Sequence, residues 1–336
     1  MHRRVRTIRA SMAVLTTSAL VAACGGGGGD AAGNTTVTTT TTTTSAASTI
    51  QNSGITAATY GVGSDKLAGY AYLNAQRLAC GFGLLQQDVK LDIAAQAHAD
   101  YQINNNTSGH GENSVAFPVG FTGANVYDRN LAAGYSSTTW GEGIAYSFPA
   151  YGTDLGQTNL KDLFAAPYHG RTLLLGYRDI GIGVGSNALR RVYSINVATT
   201  DARSTQHLAG NVVATYPCAG TTGVLTKTYY DESPAPIAGR NLATQPIGHP
   251  VYVKARDGKN LMFSTVDLRV DGGNTALMLN RLDRTTDQNN SLTDGSMIIF
   301  MPDAPLATNT TYRFTAAGTN NGAAVNINFT FTTGAF

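Results

Sequence analysis

Charge is scarce in this chain of 336 residues: Asp, Glu, Lys and Arg together make up 13% of it. A protein that tracks nucleic acid needs a clustered basic face. The formal net charge of +2 does not supply one, because Arg3, Arg4, Arg6 and Arg9 all precede the apolar stretch Met12–Ala23. Without that segment the chain is mildly acidic, and a nucleic-acid partner is excluded. The apolar stretch is itself too short to cross a bilayer as a stable helix. Several catalytic signatures are also missing. Gly181-Ile182-Gly183-Val184-Gly185 lacks the Walker lysine and the dinucleotide-binding spacing, and reads as a strand. There is no Gly-x-Ser-x-Gly elbow. His110-x-Glu112 is not followed by the Pro-Cys-x-x-Cys of the zinc deaminases. Cysteine is sparse, at three residues.

What is abundant is glycine, at 38 residues, together with Thr and Asn. That texture suits an extracytoplasmic protein rich in loops and strands. A basic segment, then Met12–Ala23, then small residues have the shape of a signal peptide over 1–23. Leu20-Val21-Ala22-Ala23-Cys24 resembles a bacterial lipobox, which makes Cys24 the expected lipidated residue and a membrane-anchored position, at the outer membrane facing the periplasm or at the cell surface, the expected location. Residues 24–60, with GGGGG and TTVTTTTTTTTSAAS, are read as a disordered stalk. In an exported protein the two remaining thiols, Cys80 and Cys218, are expected to pair.

Order is expected from about Leu67. Leu67, Tyr70 and Leu73 follow a helical period, with Ser64 or Asp65 as cap and Gly81 as stop. A second helix is predicted over Asp88–Ile103 and a third near Thr158–Ala165, with strands at Ile180–Val184 and Val192–Val197. Past about Thr200 the helical period gives way to short runs such as HPVYVKA, SMIIFMP and AVNINFTFTT. These predict an antiparallel β-sandwich over 223–336, after a mixed domain over 61–222. The fold class is therefore α+β.

Three blocks carry a family resemblance. They are LNAQRLACGFGLLQQDVKLDIAAQAHADYQ running into SGHGEN, then DRNLAAGYSSTTWGEGIAY, then PYHGRTLLLGYRDIGIGVG. In this order they resemble the bacterial branch of the CAP superfamily (SCP-like extracellular domains), and the tail resembles bacterial Ig-like modules. The resemblance implies an α-β-α sandwich of CAP type followed by an Ig-like sandwich, with a cleft lined by two histidines and acidic residues. The first histidine falls on His110, the glutamate on Glu142 and the second histidine on His169. The pattern departs at Gly143, Tyr168 and Leu163, and at Ala166, where a second glutamate is expected. Glu112 is the expected partial substitute as a cleft-lining residue.

Two imidazoles and a carboxylate suit a divalent cation such as zinc with open positions, or an acid–base pair. His110, Glu142 and His169 are therefore the candidate metal ligands. His98, mid-helix among alanines, is read as structural, and His207 and His249 as surface or strand-end residues. No nucleophile stands beside His110 or His169 in the sequence. The expectation is thus a non-enzymatic binder of a small apolar or lipid-like ligand, or of a cell-envelope component. A protease-like hydrolase and an adhesive lipoprotein are the alternatives.

Overall fold

The computed structural model describes residues 45–148 and 155–336. These form one compact unit. Cys24, the leader and most of the expected stalk lie outside the described residues. The architecture is α+β: five helices and twelve strands are described, the strands in three four-stranded sheets.

The first sheet has the order β1 (Gln86–Gln87), β3 (Asp179–Ser186), β4 (Arg191–Thr200), β2 (Ser137–Ser147). β4 pairs antiparallel with both β2 and β3, and β1 joins β3 in parallel. Helix α2 (Val89–Asn105) lies on one face. The glycines of β3 exist for that contact. A Cβ at Gly181 would sit 2.1 Å from the Leu91 backbone, and one at Gly183 would sit 2.2 Å from that of Ala95. Every second residue of the strand is therefore glycine, which is why the run is neither alternating-polar nor a phosphate loop. The other face carries Ile180, Ile182, Tyr193, Ile195 and Val197 into a core with α1 (Asp65–Ala79), α4 (Leu155–Ala165) and α5 (Pro167–Leu174).

The helix ends follow their capping chemistry. Ser64 Oγ accepts from Leu67 N at the start of α1, and Asp88 accepts from Lys90 N and Leu91 N at the start of α2. Asn106 closes α2 in the left-handed region, at φ 52°. The short helix α3 (Val126–Ala132) starts on Asn125. Neither α3 nor α5 shows enough periodic turns to be read from sequence.

The chain leaves the first sheet earlier than the expected boundary at 222. β5 (Val213–Tyr216) already pairs with β7 (Val251–Ala255), in a sheet ordered β5-β7-β10-β9 with β10 at Met297–Pro302 and β9 at Leu279–Leu282. The third sheet is β6 (Thr222–Val224), β12 (Ala323–Thr333), β11 (Thr311–Asn320), β8 (Leu261–Val270). Val251, Val253, Ile298 and Phe300 meet Leu268, Phe314, Phe329 and Phe331 between these two sheets.

The middle sheet is apolar on both sides. Ile298 and Phe300 face the third sheet, while Met297, Ile299 and Met301 join the core of the helices. The phenol of Tyr252 donates to the carbonyls of Phe164 (2.8 Å) and Ala166 (3.1 Å), and Tyr216 stacks on Phe164 with centroids 4.2 Å apart. A strand buried on both faces shows no alternation, so MIIFMP carries no sign of which side is which.

Two further findings correct the sequence reading. Residues 45–60, expected to be stalk, pack on the fold. Thr49 N donates to His207 O, Leu84 N donates to Gln51 O, and Ile50 contacts the main core. An extended segment anchored by backbone bonds and a few apolar contacts has no periodicity to read. His249, expected at the surface or at a strand end, lies just before β7 and is 1% exposed, so the strand-end reading stands and the surface one does not; burial pushes its imidazole down to about 4. Cys80 and Cys218 form a disulfide with Cα atoms 5.4 Å apart, within the range such bridges need.

Candidate functional site

Glu142 projects from the middle of β2, where its register partner on β4 is Asn196. His110 lies in the loop after α2. That loop is tied back to α2 by Gln102, whose Nε2 donates to Gly109 O at 3.0 Å, and to β2 by Gly109 N, which donates to the Tyr146 hydroxyl at 2.7 Å. His169 is the third residue of α5. The three residues named from sequence come together. His110 Nδ1 is 2.8 Å from Glu142 Oε2, and the rings of His110 and His169 stack with centroids 5.6 Å apart and planes 25° apart.

Beneath them runs a buried ionic network. Arg129, with no exposed surface, donates through one terminal nitrogen to Glu142 Oε1 at 2.7 Å and through the other to His110 O at 3.0 Å. Its Nε lies 3.8 Å from Glu112. Burial alone would raise the carboxyl of Glu142. The hydrogen bond from His110 and the charge of Arg129 outweigh it and hold the group below the usual carboxylate range. Glu142 is thus ionised at neutral pH and accepts, so His110 Nδ1 donates.

Glu112 does not line the cleft. It is 7% exposed, accepts from Thr122 N at 2.7 Å and from Gly123 N at 3.3 Å, and pairs with His98 Nδ1 at 2.9 Å. Burial raises its carboxyl, but the bonds from His98 and Thr122 and the charge of Arg129 prevail and lower it. Its work is to fold the 107–125 loop onto α2, with His98 as its structural partner.

The carboxylate absent at Ala166 arrives from elsewhere in the chain. Glu232 Oε1 accepts from His169 Nδ1 at 2.7 Å, from His169 N at 3.0 Å and from Tyr168 N at 2.9 Å. Ala166, the N-cap of α5, makes no capping bond of its own. Glu232 therefore caps the helix and fixes the imidazole with the same oxygen. The backbone donors establish that oxygen as the acceptor, so His169 Nδ1 carries the proton. The result is two parallel His–Glu dyads in which neither Nε2 has a partner among the described residues.

Sequence reasoning missed Glu232 and Arg129. Glu232 sits in the Pro-containing stretch read as a boundary, and nothing in Asp231-Glu232-Ser233-Pro234 points at a residue 63 positions away. Arg129 left a faint signal: a charged triplet, Asp128-Arg129-Asn130 counted with its amide, inside a conspicuous block of a chain poor in charge.

The donor set differs from a three-ligand metal site. Both oxygens of Glu142 are engaged, one by His110 and one by Arg129. Glu142 orients a histidine rather than offering itself as a ligand. Among the described residues, no group of three or more His, Cys, Asp or Glu side chains is arranged to hold a metal ion. What remains for a cation is two imidazole nitrogens, one protein ligand short of the usual open zinc site.

The two histidines line a cavity of about 320 Å³ whose other walls include Ile144, Leu163, Tyr229 and Tyr230. Neither imidazole hydrogen-bonds a serine, threonine or cysteine side chain among the described residues. No helix among them is long and apolar enough to cross a membrane.

No family model matches the chain, and no curated protein matches it. Among solved structures, the chain is similar to an extracellular protein containing an SCP domain from Bacillus anthracis strain Ames. The identity is 18% and the TM-score 0.33, over 40% of this chain and 40% of that one.

Proposed function

We propose that this is an extracytoplasmic CAP-type binding protein with an Ig-like second half, and that its His110–His169 cleft takes a small, largely apolar ligand bearing a hydroxyl-type head. One observation carries the reading: two imidazoles with Nδ1 locked onto carboxylates, sharing a partly apolar cavity. In the tautomer that donates from Nδ1, Nε2 is an acceptor, which suits a hydroxyl donor on the ligand. Few polar groups converging in an apolar recess is the usual form of a small-molecule site. A binding role is favoured over hydrolysis because neither imidazole is paired with a nucleophile. A divalent cation at the two Nε2 atoms would take its remaining ligands from water or from the bound molecule, so affinity for zinc alone should be weak.

The test is calorimetric titration with 1-monolauroylglycerol below its micellar concentration, alongside a panel of peptide and ester substrates. Binding that is lost in His110→Ala and His169→Ala, with no turnover, supports the proposal. Turnover abolished by the same substitutions would replace it with a hydrolase. The membrane anchor is part of this proposal and is tested separately. Cys24→Ser should shift the protein from the membrane fraction to the soluble one or block its processing; unchanged fractionation sinks the anchor.

A further inference from the structure

A second cavity opens beside the histidine cleft. It measures about 600 Å³ and is walled by Leu155, Thr158, Leu225, Tyr229, Tyr230 and Phe336. It lies between α4 and the segment after β6, away from the imidazoles. It nevertheless shares a wall with their cleft: Asp162, Tyr229 and Tyr230 line both cavities. A volume of this size falls within the range of small-molecule sites, roughly 300–1,000 Å³. The smaller cavity holds the polar acceptors, and the larger is mainly aromatic and aliphatic.

We infer that the larger cavity is the chain-binding chamber of the same site, taking the single alkyl or acyl chain of an amphiphile whose hydroxyl-bearing head rests on His110 and His169. The inference rests on the proposed cleft and adds to it the second subsite and the shape of the ligand. Asp162 stands at the passage between the two. Burial pushes its carboxyl up to about 7, and it makes no ion pair among the described residues. Protonated, it lets a hydrocarbon chain pass without a charge being stripped of water. Ionised, it sets that cost against the chain. The other titratable groups around the passage are Lys161, His110, His169, Tyr229, Tyr230 and Asp231.

The test uses the full chain carrying Cys24→Ser, so that no acyl group of its own competes for the chamber. The probes are 1-monolauroylglycerol and its short-chain counterpart 1-monobutyroylglycerol. Thr158→Trp fills the chamber from an exposed helical position. It should weaken the lauroyl probe about tenfold, close to the burial of two methylenes, and leave the butyroyl probe unchanged. Lauroyl affinity of the unsubstituted site should fall as pH rises through about 7, and Asp162→Asn should flatten that fall. A pH dependence that persists in Asp162→Asn has another origin and removes Asp162 from the proposal. If Thr158→Trp leaves lauroyl binding intact while His110→Ala weakens it, the chamber is wrong and the cleft stands. If neither substitution affects binding, both readings fall.

Discussion

Replacing Glu232 with alanine should cost more than replacing either histidine of the cleft. The side chain is buried, with the residue 3% exposed. One of its oxygens accepts from Tyr168 N, His169 N and His169 Nδ1. Losing a helix N-cap costs about 0.5–2 kcal/mol, and each buried donor left unpaired adds about 1–3 kcal/mol before water or local relaxation recovers part of it. These contributions overlap, because all three donors share one acceptor, so a loss of about 3 kcal/mol is expected. Urea denaturation at constant m-value would measure it. A stability loss alone would show only that Glu232 is structural, so a second readout is needed. Nitrogen-15 NMR of His169 should show a bare Nε2 in the parent, and a shift toward the Nε2-protonated tautomer in Glu232→Ala. Glu232→Gln keeps a carbonyl acceptor and should retain most of the stability. A Glu232→Ala protein within about 0.5 kcal/mol of the parent, with His169 unchanged, would refute the dyad.

Three further outcomes follow from groups described above. His249 is held neutral by burial, its native value near 4 lying below the free value of 6.5. The unfolded chain therefore binds the extra proton between those values, and stability should fall by about 3 kcal/mol as pH drops across that window; a His249→Phe protein that folds and keeps the same slope would contradict this. Glu112 and Glu142 are depressed instead. Their contribution is complete above the ordinary carboxylate range and is lost as pH falls below about 4.5, so loss of the His110–Glu142 NMR coupling should accompany acid unfolding rather than precede it. The Cys80–Cys218 bridge spans a sequence separation of 138, and in the chain-entropy model its reduction should cost about 5 kcal/mol. A denaturation midpoint unmoved by reductant under conditions that demonstrably free both thiols would count against that value.

The parts of the fold visible in the sequence are those whose physics is local. Ser64 caps a helix, Asp88 marks the start of the next, and Leu67, Tyr70 and Leu73 repeat at helical spacing. His110, Glu142 and His169 were all placed by the family resemblance, since nothing local sets these two histidines apart from the other four in the chain. What was hidden is long-range. The role of Glu232 depends on a segment returning to a helix end far back in the chain. The inward turn of Glu112 depends on backbone donors at Thr122 and Gly123. Residues 45–60 declare nothing because their hold on the fold is mainly main-chain hydrogen bonding, which every residue type provides equally. The early switch of β5 into the middle sheet was equally silent, since a four-residue strand gives no alternation to distinguish its partners.

The middle sheet, buried on both faces, has a consequence for how this chain unfolds. Met297 and Ile299 on one side of β10 and Ile298 and Phe300 on the other belong to separate cores, and β7 divides in the same way, with Tyr252 in one and Val251 and Val253 in the other. Melting either core strips the shared sheet of half its packing, so neither can remain folded for long without the other. Heating should give one calorimetric transition where two linked modules would give two. The histidine cleft then shares its melting temperature with strands that never touch it. A piece ending at residue 222 would lack β7, β9 and β10 and expose the apolar face they cover, as well as lacking Glu232. Such a fragment should aggregate before it could be asked to bind anything.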